Sequence, residues 1–305
     1  MPLGTNNVVQ STVNTAGFIP EVWSDEIIAA YKKNLVAANL FKKMSMKGKK
    51  GDVMHFPSPA RGSAAVKTAS SQVTLIAESG TEKTVTINQH YEYSRLIEDF
   101  AEVQALSSLR RFYTDDAGYA LATRIDTSLI QLGRGAQGGT AGSAAYDKAY
   151  LAGDGSTLYV DGTNVGTALT DAGLRRAIQR LDDQDVPMDG RFLIVPPATR
   201  NTMMGLARFT EQAFVGDGAT IRNGQIGDVY GVKVFVTTNA DTATTTTTRV
   251  ALLAHPEAFV LVDQLGVRVQ TQYKQEYLGT LLTADTLYGV GELRDTSAVA
   301  LAVPA

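Results

Sequence analysis

Two strand-like limbs, joined by a long stretch with almost nothing to bury, constrain this chain more than any other feature. Residues 53–56 begin a strand that Pro57 and Pro59 end. The return limb alternates Val85, Ile87, Gln89, Tyr91 and Tyr93 with Thr86, Asn88, His90 and Glu92, a period of two. Between them, residues 58–71 are small and polar, with Gly62, Ser63, Ala64 and Ala65 at their middle. An isolated two-stranded ribbon is marginal in water. The excursion must therefore lie on something else, within this chain or beyond it.

The flanking segments read as helices. Residues 1–17 have no hydrophobic period and read as an arm that a partner orders. From 20 to 44 the chain carries Pro20 and acidic Glu21, Asp25 and Glu26 at one end, and Lys42 and Lys43 at the other. That is the charge layout of a helix dipole. Trp23, Ile27, Ala30 and Tyr31 recur at helical spacing, and the pattern then weakens around Asn34. Asp99 and Glu102 approximate a capping box, which predicts a long spine helix to about residue 132. Its apolar stripe includes Phe112, Leu121, Ile125 and Leu129, while Gly118 in its interior predicts a bend or a close contact.

Past the Gly-rich stretch 134–162 the rhythm changes to helix and strand in alternation. Leu174, Ala177, Ile178 and Leu181 mark a helix stopped by Pro187 and Gly190, and residues 192–195 form a buried strand. Pro197 opens another helix, and Val232, Val234 and Val236 alternate as a strand. Residues 250–254 and 259–262 flank His255 and Pro256. Val267, Val269, Thr271 and Tyr273 alternate with polar residues, and Val299, Leu301 and Val303 make a last strand. Thr244–Thr248 reads as a loop or edge segment. The sum is an α+β chain, with a mixed sheet flanked by helices in its second half.

Catalytic chemistry finds no support. The chain has no cysteine, which removes disulfides, thiolate zinc sites and cysteine nucleophiles. His55, His90 and His255 are scattered over two strands and a turn, without the spacing of a helical zinc pair. Gly133, Gly135 and Gly138 spell GxGxxG but follow a helix, where the dinucleotide motif needs a strand, so they read as a hinge. Asp182, Asp183 and Asp185 lack a calcium-loop register and read as a solvated helix end. The expectation is no enzyme, no cofactor and no metal. A net charge of −3 excludes a globally basic nucleic-acid binder. Five lysines, Lys42, Lys43, Lys47, Lys49 and Lys50, are the one local exception, a candidate contact for phosphate or for an acidic patch on a neighbouring subunit. No stretch approaches the ~20 apolar residues that span a bilayer, and the N-terminus lacks the layout of a secretion signal. At 19% charged residues the chain falls below the ~25% of an ordinary domain, as contact-rich surfaces do.

The order of parts, with particular stretches, resembles the major capsid proteins of tailed double-stranded DNA bacteriophages, the Hong Kong 97-type fold. FIPEVWSDEIIAAYKKNLVAANLF resembles their N-terminal helical segment, and FLIVPPATRNTMMG a strand and helix of their axial domain. IGDVYGVKVFVTTN resembles a frequent strand, and AHPEAFVLV with LYGVGELRDTSAVALAV the C-terminal layout. The resemblance implies an N-terminal arm and first helix over 1–46 and an extended loop over 47–92. It implies a peripheral domain over 93–164 and 263–288, and an axial domain over 165–262 and 289–305. Phe56, Arg61, Lys67 and Tyr91 would lie along the inter-subunit loop. The implied function is a structural subunit that assembles as hexamers and pentamers into an icosahedral head around double-stranded DNA held without sequence specificity. The implied setting is a virion assembled in host cytoplasm, with a portal and no membrane. The short stretch before the first helix implies a separate scaffolding protein. Some relatives cross-link a lysine to an asparagine; Lys67 has no matching partner, so no covalent bond is expected. An encapsulin-type compartment shell is the alternative, and a cytosolic α/β ligand-binding protein a remoter one.

Overall fold

The computed structural model describes residues 35–59, 62–73, 75, 80–99, 109–140, 143, 145–206, 228–243 and 247–305. The first half supplies α1 (Ala37–Leu40), β1 (Lys42–Ser45), β2 (Val53–Pro59), β3 (Gly80–Thr86), β4 (Gln89–Glu98) and the spine helix α2 (Leu109–Gln131). The second half supplies β5 (Tyr150–Leu151), α3 (Asp171–Asp182), β6 (Phe192–Val195), α4 (Pro197–Met204), β7 (Asp228–Val229) and β8 (Val232–Val236). It closes with β9 (Thr248–Ala254), β10 (Phe259–Lys274), β11 (Gly279–Glu292) and β12 (Ala298–Pro304).

Alternation along the later strands builds a sheet buried on both faces. Its order is β5-β12-β9-β6-β8-β7. The parallel pair β6 and β8 needs a crossover, and α4 lies within it. Leu193, Val195, Leu253, Val299 and Leu301 meet Leu174, Leu181 and Met203 of α3 and α4. Residues of opposite parity, Phe192, Ile194, Leu252 and Ala298, meet Leu129 and Ile130 at the end of α2. Thr170 caps α3, its Oγ1 accepting from Gly173 N at 3.1 Å, and Asp171 and Arg180 complement the helix dipole.

A second sheet runs β1-β10-β11-β4. The spine helix lies on one face of it, where Ala117 and Leu121 pack on Ala284, Tyr91 and Tyr93. The third element is the ribbon β2–β3, paired from Val53↔Thr86 to Pro59↔Gly80. Its root crosses β11 at two glycines. A Cβ on Gly289 would stand 2.6 Å from the Thr86 carbonyl oxygen, and one on Gly291 would overlap the Val85 side chain. Glycine is required there because two backbones approach closely.

Several sequence expectations are corrected. The helix read over 20–44 does not carry its helical form to Lys42 and Lys43. Phe41 turns the chain by packing on Phe192 and Phe259, with ring centroids 5.1 and 5.0 Å away, and the lysines enter β1, parallel to β10. The alternating run 85–93 is two strands, broken at Ile87–Asn88, because Val85 belongs to the ribbon and Gln89 begins pairing with β11. Strand β4 ends at Glu98, where the capping box was expected to begin; Asp99 accepts from the Tyr273 hydroxyl at 2.8 Å, and residues 100–108 lie outside the described residues. Gly118 has open space around its Cα rather than a close contact. The Gly133–Gly138 segment, read as a hinge, kinks at Ala136–Gln137 and is tied to the core. Gly133 and Gly135 are buried, and Gln137 donates to the carbonyls of Thr296 and Ala298. Thr248 is buried inside β9 rather than looped out. The arm 1–19, the helical stripe from Trp23 to Tyr31, Arg61, Glu102 and residues 244–246 lie outside the described residues.

Candidate assembly surfaces

The ribbon is anchored at one end only. Val85 and Ile87 join Met46, Val260 and Val262 in a small core, with Met54 and Phe56 half-buried against it. Beyond Phe56, Pro57 and Ser58 of β2 and residues 80–84 of β3 are exposed. At the tip, Val66 is 99% and Leu75 89% exposed, an apolar load the subunit itself leaves in water. His55 on β2 and Glu82 on β3 hydrogen-bond across the ribbon.

The second sheet also ends openly. Strand β1 pairs with β10 only from Val260 to Asp263, so the stretch from Val267 to Lys274 keeps an unpaired edge among the described residues. Val269 (41% exposed) and Tyr273 (48%) stand on it. An open edge of this kind is a template for pairing with another chain.

Two polar devices tie α1 and the spine helix to the second half of the chain. Asp126 on the spine helix is fully buried and accepts from Ala37 N at 2.7 Å and from Asn239 Nδ2 at 3.0 Å. It thereby caps α1 from a distance. At the end of the spine, Arg134 donates to both Asp241 oxygens at 2.9 and 3.2 Å, and the Tyr146 hydroxyl donates to the same carboxylate at 2.7 Å. Burial holds the Tyr146 hydroxyl well above its ordinary pKa. On the sheet, Arg268 holds Asp285 through bonds of 2.7 and 2.9 Å and lowers its pKa, with His90 a weaker partner at 3.3 Å. Where β11 ends under the ribbon, burial pushes Glu292 up to about 7, with Asp295 repelling its charge and Lys83 attracting it. Its Oε1 has no hydrogen-bond partner among the described residues.

The singled-out residues divide. Lys42 and Lys43 are exposed on successive positions of β1, hence on opposite faces. Lys47 pairs with Asp263 at 2.9 Å, and Lys49 and Lys50 are exposed at the ribbon root. The five lysines thus do not share one face. Lys67 is exposed at the tip. Tyr91 is not in the ribbon: it stacks against Tyr288 at 5.9 Å under the Arg124 guanidinium at 4.8 Å. Among the described residues no group of three His, Asp or Glu side chains could hold a metal, and no helix is long and apolar enough to cross a membrane. The sequence reading passed over Asp126, Gly289, Gly291 and Glu292. Only the glycines carried a signal, two of them one residue apart in a strand pattern.

Comparison with known proteins bears on these surfaces directly. The sequence model of a family described as phage capsid protein matches residues 24–294. No curated protein matches the chain in sequence. Among solved structures, a chain from Mycobacterium phage Che8 is 25% identical with a TM-score of 0.74, the match covering 93% of this chain and 97% of that one. A chain of the capsid of cyanophage P-SCSP1u is 18% identical with a TM-score of 0.76, covering 99% and 96%. One from the mature capsid of bacteriophage PhiM1 is 13% identical with a TM-score of 0.69, covering 93% and 92%.

Proposed function

The chain belongs to the phage capsid protein family, and from that premise we propose that it assembles as hexamers and pentamers into an icosahedral head enclosing double-stranded DNA. Its fold is the Hong Kong 97-type α+β fold, it is a structural protein of the virion, and it is not an enzyme. One observation carries the assembly reading: a subunit with a complete two-sided core also holds out a ribbon whose tip it leaves bare. Exposed apolar groups of this kind mark surfaces meant for a partner.

In this reading, residues 47–92 contain the extended loop, of which β2 and β3 are the reaching part and β4 a rail of the peripheral sheet. The peripheral domain covers 93–164 and 263–288, and the axial domain covers 165–262 and 289–305. Neighbouring copies cover the ribbon tip and pair with the free edge of β10. Many modest contacts then give a shell whose stability depends on concentration. Exposed Lys42, Lys43, Lys49 and Lys50 are candidates for salt-sensitive contact with phosphate, independent of sequence. A separate scaffolding protein and a portal complete the assembly, which proceeds in host cytoplasm without a covalent cross-link at Lys67. The family match supports the phage head over an encapsulin-type compartment.

Size-exclusion chromatography and negative-stain microscopy of the purified protein test this. Capsomers and closed shells are expected. A 32.6 kDa monomer that persists across concentration would overturn the proposal.

A further inference from the structure

A groove of about 520 Å³ opens between the spine helix and the second sheet. Ala122 and Ile125 of α2 form one wall, Met44 of β1 and Val267 of β10 the other, and Tyr288 lies in the floor. Lys43 and Lys47 stand on its lining. Lys47 is paired with Asp263, while among the described residues Lys43 reaches the Asn39 amide oxygen, at 3.2 Å, so the groove keeps a positive rim.

The chain itself arrives at this groove, for Leu35, the first described residue, is part of the lining. Asp126 shapes the arrival. It takes the N–H of Ala37, which a continuous α-helix would give to the carbonyl four residues earlier. The Ala37 N–H is thus held by a side chain, and α1 begins there. The residues that precede Leu35 in sequence are amphipathic. Helical spacing gathers Trp23, Ile27, Ala30 and Tyr31 on one face. It sets Glu26 on the flank of that stripe, with Glu21 and Asp25 opposite.

We propose that residues 20–34 fold back as a helix into the groove of their own subunit, with Trp23, Ile27 and Tyr31 on its apolar walls and Glu26 toward Lys43 and Lys47. The tether from Leu35 is short, which gives the same-chain segment a high effective concentration over any competitor. Docking there covers the exposed side of the spine and fixes where residues 1–19 leave the subunit. The inference concerns one subunit and stands apart from the shell reading, since it is tested on unassembled protein.

The composition makes the test clean, because Trp23 is the only tryptophan and there is no cysteine. Trp23 in the unassembled protein is expected to emit at short wavelength and to resist acrylamide quenching. Ala122→Glu and Val267→Glu, both at partly exposed positions, should shift that emission to the red and raise quenching several-fold, with the far-ultraviolet circular dichroism of the sheets unchanged. A double variant, Ile27→Cys with Ala122→Cys, should oxidise to an intramolecular disulfide that changes gel mobility at monomer mass, while Ser11→Cys with Ala122→Cys should not. Disulfides found only in dimers would place the segment in a second copy and overturn the proposal. Absence of any Ile27–Ala122 bond, with Trp23 freely quenched, would overturn it as well.

Discussion

Strands β12 and β3 have the same length of seven residues and opposite fates. In β12 every residue but Pro304 is buried, while in β3 only Val85 is. Each is matched residue for residue to an antiparallel neighbour, and β12 is also flanked by β5 on its other edge. The difference lies on their faces. β12 presents Val299 and Leu301 to helices on one side and Ala298 and Ala300 to other clusters, so apolar area leaves water at about 25 cal/mol per Å². β3 presents Thr, Glu and Lys to solvent and borrows a core only at its root. One region is stable within its own subunit, and the other waits for neighbours.

The sharpest way to break that comparison is to damage each side in turn. Leu253→Ala, at a fully buried position, should destabilise the unassembled protein by about 2–5 kcal/mol in urea unfolding. Removing residues 57–84 should leave that midpoint nearly unchanged and abolish normal shells in micrographs. Intact shells from the deleted chain would end the distinction.

Asp126→Ala probes the link between regions. It strands the Ala37 N–H and removes one of two bonds donated by the Asn239 amide, at a cost of about 2–3 kcal/mol, with hydrogen exchange rising at residues 36–41. Gly289→Ala probes the crossing of ribbon over sheet. A methyl group 2.6 Å from the Thr86 carbonyl must push β3 away, at about 1–3 kcal/mol, with protection lost at residues 85–87 before the six-stranded sheet is affected.

The smallest effect is a pH slope at the same crossing. Glu292 is raised from its ordinary 4.5 to about 7, so the folded chain holds a proton that the unfolded chain releases. Stability should then fall as pH rises from about 4.5 to 7 and level off above that. Glu292→Gln should flatten the slope and be the more stable form at neutral pH. Thermal unfolding of both proteins between pH 4.5 and 8 measures it, and parallel curves would remove Glu292 from the account.

What was legible in the sequence follows the range of the interactions. Helix α3, with Thr170 ahead of it and Leu174, Ala177 and Leu181 along it, is determined locally and was readable. So were β8, where Val232 is buried and Lys233 exposed, and β12, an apolar run buried on both faces. The break at Ile87–Asn88 was not readable, because apolar parity continues from Val85 to Tyr93 while the pairing partner changes. Lys42 and Lys43 looked like a helix end because their strand partner, β10, is distant in sequence. Tyr91 was placed in the loop for the same reason, although Tyr288 and Arg124 hold it inside the subunit. Asp126 offered no signal, since a buried cap donated across the fold is indistinguishable in sequence from a solvated helix carboxylate. The surfaces left bare were legible in outline, as a polar excursion with no core of its own.

Hydrogen exchange measured on the same protein before and after assembly tests the central claim most directly. The account predicts that the six-stranded sheet, residues 192–195, 248–254 and 298–304, is protected in both states. Residues 57–84, and the amides of 267–274 that face away from β11, should exchange freely in the unassembled protein and become protected in shells. Equal protection of the ribbon in both states, or none in the assembled one, would contradict it.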